Sequence, residues 1–137
     1  MEKVPGKRSP RILLVEDDIT LAGLYKMRME AEGFEVKHSS NGEEALQVAK
    51  EFSPNLILLD IMMPQLDGFN VLDILRNTPG FDDTKIIVLS ALGEPADQAK
   101  AKALGAVEYL VKSQIVITEL MARIRFHLGL PSTPAVT

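Results

Sequence analysis

Five times along this chain, a short run of branched apolar residues is followed by a stretch with helical spacing. The runs are Ile12–Val15, the alternating "FEVKHSS", Leu56–Leu59, Ile86–Leu89 and Val107–Val111. Each is too short for a helix and fits a strand. Between them, Leu21, Leu24, Tyr25, Met27 and Met29 predict one apolar helix face, with Gly33 as its stop. Ser40 or Asn41 can cap the helix of "SNGEEALQVAKEF", with Glu43 or Glu44 three residues on. Val71, Leu72 and Leu75 mark a short helix ending near Pro79-Gly80. Pro95 opens another, with Ala99, Ala103 and Leu104 inward and Gly105 as its end. A last helix spans 115–128, closed by Gly129 and Pro131.

Strictly alternating strands and helices predict a doubly wound α/β fold, a parallel sheet with helices on both faces. Parallel strands buried on both faces read as unbroken apolar runs, as the first, third and fourth do here. The second alternates and the fifth carries Glu108 and Tyr109, so these two fit the edges. That distribution predicts the strand order 2-1-3-4-5.

With 137 residues, one domain is expected. The absence of cysteine excludes disulfides and thiolate chemistry. A net charge of −4 argues against non-specific nucleic-acid binding by this domain. No run approaches the roughly 18 apolar residues of a membrane span, and the basic N-terminus lacks the apolar core of a secretory signal. A cytoplasmic location is therefore expected. Residues 1–10 read as a disordered tail, and residues 130–137, "LPSTPAVT", as a tail or the start of a linker.

Ligands of open parallel sheets bind beyond the carboxyl ends of the strands. The residues found there are Glu16, Asp17 and Asp18 after strand one, Asp60 after strand three, Ser90 after strand four and Lys112 after strand five. Neighbouring parallel strands lie about 4.8 Å apart, so the proposed order gathers the carboxylates at one rim. Anions that close call for a cation. Mg²⁺, held by one or two carboxylates and retained waters, is the simplest candidate. Carboxylates, a divalent ion, an ammonium and a hydroxyl together suit a phosphoryl group. Each residue also has a plainer reading: Asp60 as a turn or cap, Asp17 or Asp18 as helix caps, Ser90 as a strand end, Tyr109 as an edge aromatic. Met27, Met29, Met62 and Met63 read as packing, and Lys100, Lys102, Arg123 and Arg125 as solvated helix faces. His38 and His127 have no partner pattern.

The motifs "ILLVEDD", "LILLDIMMPQLDG", "IIVLSA" and "EYLVK" occur in this order. With them, the chain resembles the receiver domain of bacterial two-component response regulators, of the chemotaxis-regulator type, over about residues 11–128. The resemblance implies a flavodoxin-like (βα)5 domain over 11–129. It implies that Asp60 is the phosphoacceptor for a phosphohistidine of a sensor histidine kinase or phosphotransfer protein. It implies Mg²⁺ held by Asp17, Asp60 and the Met62 backbone carbonyl, with Glu16 acting directly or through water. Ser90 would hydrogen-bond the phosphoryl group, Lys112 would pair with it, and Tyr109 would be the switch aromatic. The surface of the fourth helix, fifth strand and fifth helix would carry the signal and could support a homodimer. The chain would be no enzyme beyond its own phosphorylation and dephosphorylation. Pro64 and a positive φ at Gly68 are expected to bend the loop after Asp60. Ser113 departs from the proline usual after the lysine; Lys112 is still expected to reach the pocket.

Three other functions compete. A receiver-like interaction module that accepts no phosphate is the first. A metal-dependent phosphatase with an aspartyl intermediate is disfavoured because its nucleophile would follow strand one. A nucleotide or flavin binder lacks the glycine-rich phosphate loops.

Overall fold

A computed structural model describes residues 9–131. The strands are β1 (Arg11–Val15), β2 (Glu35–Ser39), β3 (Leu56–Leu59), β4 (Lys85–Ser90) and β5 (Glu108–Val111). The helices are α1 (Ile19–Ala31), α2 (Gly42–Phe52), α3 (Gly68–Arg76), α4 (Pro95–Ala103) and α5 (Ile117–His127). The strands form one parallel sheet in the order β2-β1-β3-β4-β5, as expected. The expected tails, 1–10 and 130–137, lie outside the described residues except for 9–10 and 130–131.

Successive side chains of a strand face opposite ways, and this divides the core into two layers. Leu13, Val15, Ile57, Leu59, Ile86 and Val88 point to one layer, closed by Ala45, Ala49, Phe52, Val71, Leu72 and Leu75 from α2 and α3 and by Ala101 from α4. Ile12, Leu14, Leu56, Leu58, Ile87 and Leu89 point to the other, closed by Ala22 and Met29 of α1 and by Leu120, Met121 and Ile124 of α5. Every residue of β3 is buried, which is why "LILL" carries no polar position.

Two helix faces differ from those predicted. In α1 the inward residues are Ala22 and Met29, while Leu24 and Met27 are 55% and 67% exposed. Met29 is buried as predicted and Tyr25 packs against the same layer, but the stripe also takes in the small Ala22, which the pattern of large apolar residues does not mark. In α4, Ala99 and Ala103 are exposed and Ala101 is buried. Ala101 and, as predicted, Leu104 pack against the core, while Gln98 one turn earlier is half-buried and donates its Nε2 to the Gly93 carbonyl at 3.1 Å. Val107 precedes β5 and is 39% exposed. The last helix starts at Ile117 because Lys112–Gln114 form a 3-10 turn first.

The predicted glycine stops of α1, α4 and α5 hold, while α3 ends before Pro79-Gly80, at Arg76 with Asn77 as its cap. Gly33 adopts φ 97°, and Phe34 N–H returns to the Met29 carbonyl at 3.1 Å. Gly105 and Gly129 end α4 and α5 by the same pair of bonds. Asn41, one of the two candidate caps, accepts from Glu44 N–H at 2.9 Å.

Arg125 corrects the expectation of a solvated face. It is 2% exposed, and its Nε donates to Glu32 Oε1 at 2.9 Å, tying α5 to the end of α1. Arg123 instead pairs with Glu108 at 2.8 Å.

Candidate functional site

The sheet register builds the rim. Val15 lies beside Leu59, and Asp60 N–H donates to the Val15 carbonyl at 3.1 Å. Glu16 and Asp60 therefore leave adjacent strands side by side. Ser90 pairs with Val111 at the end of β4, which puts Lys112 one residue further along the same rim. Glu16, Asp60 and Ser90 are buried, while Asp17 is exposed at the mouth.

Lys112 joins the strands. Its Nζ donates to Glu16 Oε1 at 2.6 Å and to Asp60 Oδ2 at 2.8 Å. No cis peptide bond occurs among the described residues, so the Lys112–Ser113 bond is trans. The 3-10 turn that follows carries the chain away, and the lysine reaches the pocket as expected.

Carboxylate oxygens of Glu16, Asp17 and Asp60 lie within 4.8 Å of one another. Three carboxylates against one ammonium leave two net negative charges at the rim, the charge that a divalent ion neutralises. The donor set is all oxygen, which suits a hard cation. Burial pushes the Glu16 carboxyl above its ordinary value, only partly offset by the Lys112 hydrogen bond. Burial works against the Lys112 charge, but Asp60 and Glu16 outweigh it and hold the ammonium above its ordinary value. The lysine is flanked by two acids and each acid shares one lysine, so the two directions are consistent.

The loop after Asp60 is held at both ends. Met62 N–H donates to Asp60 Oδ1 at 3.0 Å, and the Ile61 carbonyl accepts from Met63 at 3.1 Å and Gly68 at 3.0 Å. Gly68 does not take the expected positive φ; Gln65 does, at 65°. Gly68 is required for close approach instead, since a Cβ there would sit 2.4 Å from the Asp60 carbonyl oxygen. Met63 packs as expected, whereas Met62 is 51% exposed beside the crevice.

The plainer reading is right for Asp18, which caps α1 by accepting from Leu21 N–H at 3.0 Å. Ser90 Oγ accepts from Leu92 N–H at 3.3 Å, and Tyr109, turned inward, donates its hydroxyl to the Leu92 carbonyl at 2.8 Å. Leu92 thus links the two side chains, a role no side-chain pattern signals because it uses only backbone. His38 also has an unforeseen partner: its Nε2 donates to the Glu16 carbonyl at 2.7 Å. The parity of β2 places that ring toward the α1 layer. His127 meets Glu108 Oε1 at 2.6 Å, far from the rim.

The family model described as "Response regulator receiver domain" matches residues 12–125. The chain belongs to this family. A probable transcriptional regulator ycf27 of Cyanophora paradoxa is 40% identical over 93% of the chain and 52% of the relative. The transcriptional regulatory protein PrrA of Mycobacterium leprae is 40% identical over 88% of the chain and 50% of the relative. The receiver domain thus spans about half the length of these relatives. The BeF3-activated N-terminal receiver domain of Klebsiella pneumoniae RstA superposes with a TM-score of 0.80 at 30% identity, covering 86% of this chain and 97% of that one. Within this receiver domain, no helix of the described residues is long and apolar enough to cross a membrane.

Proposed function

We propose that Asp60 is the phosphoacceptor of a two-component signalling switch, over a domain bounded at residues 11–129. The observation that carries this reading is the single ammonium of Lys112 bridging Glu16 and Asp60 beside the exposed Asp17. An Asp60 carboxylate oxygen attacks the phosphorus of a phosphohistidine on a sensor kinase or phosphotransfer protein. The phosphorus–nitrogen bond breaks, its electron pair stays with the imidazole, and an aspartyl phosphate remains.

Asp17, Asp60 and the Met62 carbonyl would hold Mg²⁺, with Glu16 acting directly or through water. The ion would neutralise charge on the phosphoryl oxygens. Lys112 supplies the second positive charge and moves from the free carboxylate to a phosphoryl oxygen. Ser90 donates its hydroxyl to another. That movement draws on the Leu92 backbone, to which Tyr109 is bonded, so the rearrangement spreads to α4, β5 and α5. A few kcal/mol of preference suffices to shift such a two-state surface. This surface signals onward and supports a homodimer. The domain acts on no substrate but its own phosphoryl group, works in the cytoplasm and binds no nucleic acid itself. Transcriptional control, named for its relatives, would belong to an output outside it. Lys112 reaches Glu16 and Asp60 although Ser113 stands where proline is usual, which supports this reading over a module that accepts no phosphate.

Incubation with Mg²⁺ and acetyl phosphate, followed by mass spectrometry of the intact protein, tests the reading. One phosphoryl group is expected on the wild type and none on Asp60→Asn. Equal masses before and after would overturn it.

A further inference from the structure

We propose that Gly42, at the first turn of α2 and outside the crevice, is a positioning residue for the loop that carries the Met62 carbonyl; this rests on the metal-dependent reading above. A Cβ on Gly42 would sit 2.6 Å from the Leu66 carbonyl oxygen, 2.8 Å from Val71 Cγ2 and 3.1 Å from Leu66 Cβ. Side chains do not accommodate contacts that short, so α2 or the loop must move. The helix is the stiffer partner. Ala45, Ala49 and Phe52 bury it against the sheet, and Asn41 caps its start.

The loop is the softer one. Between Ile61 and Asp67 it forms no helix or strand, and Gln65 is held at φ 65°, a conformation that persists only where neighbours impose it. Its ends cannot give. Gly68 lies against the Asp60 carbonyl, and the Ile61 carbonyl accepts both Met63 and Gly68 N–H. A push on Leu66 is therefore absorbed between Met62 and Leu66, the stretch that presents the candidate metal-binding carbonyl. Bare glycine at position 42 lets α2 seat the loop from behind. Helix propensity does not explain a glycine here, since alanine is the better helix former.

The test compares wild type, Gly42→Ala and Gly23→Ala by NMR. Gly23 lies in α1 with nothing within 4 Å of a Cβ, so it controls for replacing a helical glycine. Mg²⁺ titrations followed at the Asp17, Asp60 and Met62 amides give affinity, and metal-free spectra give the resting position of the loop. Gly42→Ala is expected to weaken Mg²⁺ binding about tenfold or more, the usual scale for residues that support a ligand. It is also expected to shift the metal-free Met62 and Gln65 amides, with Gly23→Ala unchanged in both. Wild-type affinity and shifts in a folded Gly42→Ala protein would overturn the proposal. Should that variant not fold, Gly42→Ala with Val71→Ala relieves the side-chain contact and leaves the Leu66 carbonyl contact; it must show the same loss, and wild-type affinity there is equally decisive against the idea. A wild type that neither binds Mg²⁺ nor gains phosphate sinks the functional reading itself, whereas a competent wild type matched by Gly42→Ala sinks only this inference.

Discussion

Lys112 occupies the carboxylates that a divalent ion would need, with 2.6 Å and 2.8 Å bonds to Glu16 and Asp60. Its removal should therefore separate cation binding from phosphoryl chemistry. Lys112→Met is expected to bind Mg²⁺ about tenfold more tightly, a change of about 1.4 kcal/mol, and to gain phosphate from acetyl phosphate far more slowly. Calorimetric titration and timed mass spectra check the two halves; weaker Mg²⁺ binding would contradict the shared-carboxylate picture. The same bonds raise the lysine's folded pKa above its ordinary 10.5. A raised folded value means stability that is fully present below the unfolded pKa and lost as pH rises through the folded one. The stability gap between wild type and Lys112→Met should thus shrink above about pH 10, and it should also change in the acidic range where Glu16, which the lysine holds down, takes up its proton, in urea titrations at stepped pH. At this scale, the sequence revealed residues whose meaning is a charge at a strand end: Asp60, Glu16 and Lys112. It concealed those whose meaning is a contact. Gly68 reads as a turn glycine, yet what requires it is the Asp60 carbonyl at the other end of the same loop, which its Cβ would strike only once the loop has folded back. Arg125 reads as solvated from its type, and only the fold brings Glu32 to it.

That ion pair belongs to the scale of elements, because it fixes the end of α1 against α5. Glu32 follows the last turn of α1, and Arg125 Nε meets its carboxylate at 2.9 Å while Nη2 donates to its backbone carbonyl at 3.0 Å. Removing one partner of a buried pair leaves the other charge uncompensated and typically costs about 3–5 kcal/mol. Arg125→Ala is expected at the lower end, about 3 kcal/mol, because Glu32 keeps some solvent access and Arg28 Nε lies 3.4 Å from its Oε2. Urea unfolding measures this directly, and a loss below about 1 kcal/mol would mean the pair is not what ties the helices. Elements were also where sequence patterning worked unevenly. The central strands were legible because burial on both faces leaves almost no polar position to mislead, and the edge strand β2 because one exposed face leaves a period-two alternation. Helix stops were legible because glycine has a local reason to be there. The inward faces of α1 and α4 were legible only in part, at Met29 and Leu104, since Ala22 and Ala101 fill buried space without advertising it.

For the whole molecule, β1 and β3 hold negative charge at one rim by covalent connection to a rigid core. Burial raises the Glu16 carboxyl, so its ionised form is disfavoured in the folded chain. A group raised in this way favours folding below its unfolded pKa of 4.5, and that contribution is lost as pH rises through the folded value. Near neutral pH the ionised Glu16 carboxylate therefore works against the fold. A cation bound only by the folded state should offset this by linkage, adding about 1.4 kcal/mol at ten times its dissociation constant. Mg²⁺ is accordingly expected to raise the melting temperature, with the shift removed by Asp17→Asn or Asp60→Asn. Those two variants should themselves melt no lower than the metal-free wild type, since each deletes one of the crowded charges, although Asp60→Asn also loses its ion pair with Lys112. Calorimetric scans with EDTA and with graded Mg²⁺ provide both comparisons. If Mg²⁺ stabilised Asp17→Asn as much as the wild type, the ion would be binding elsewhere, and the convergence of strand ends would not be what the sheet is built to achieve.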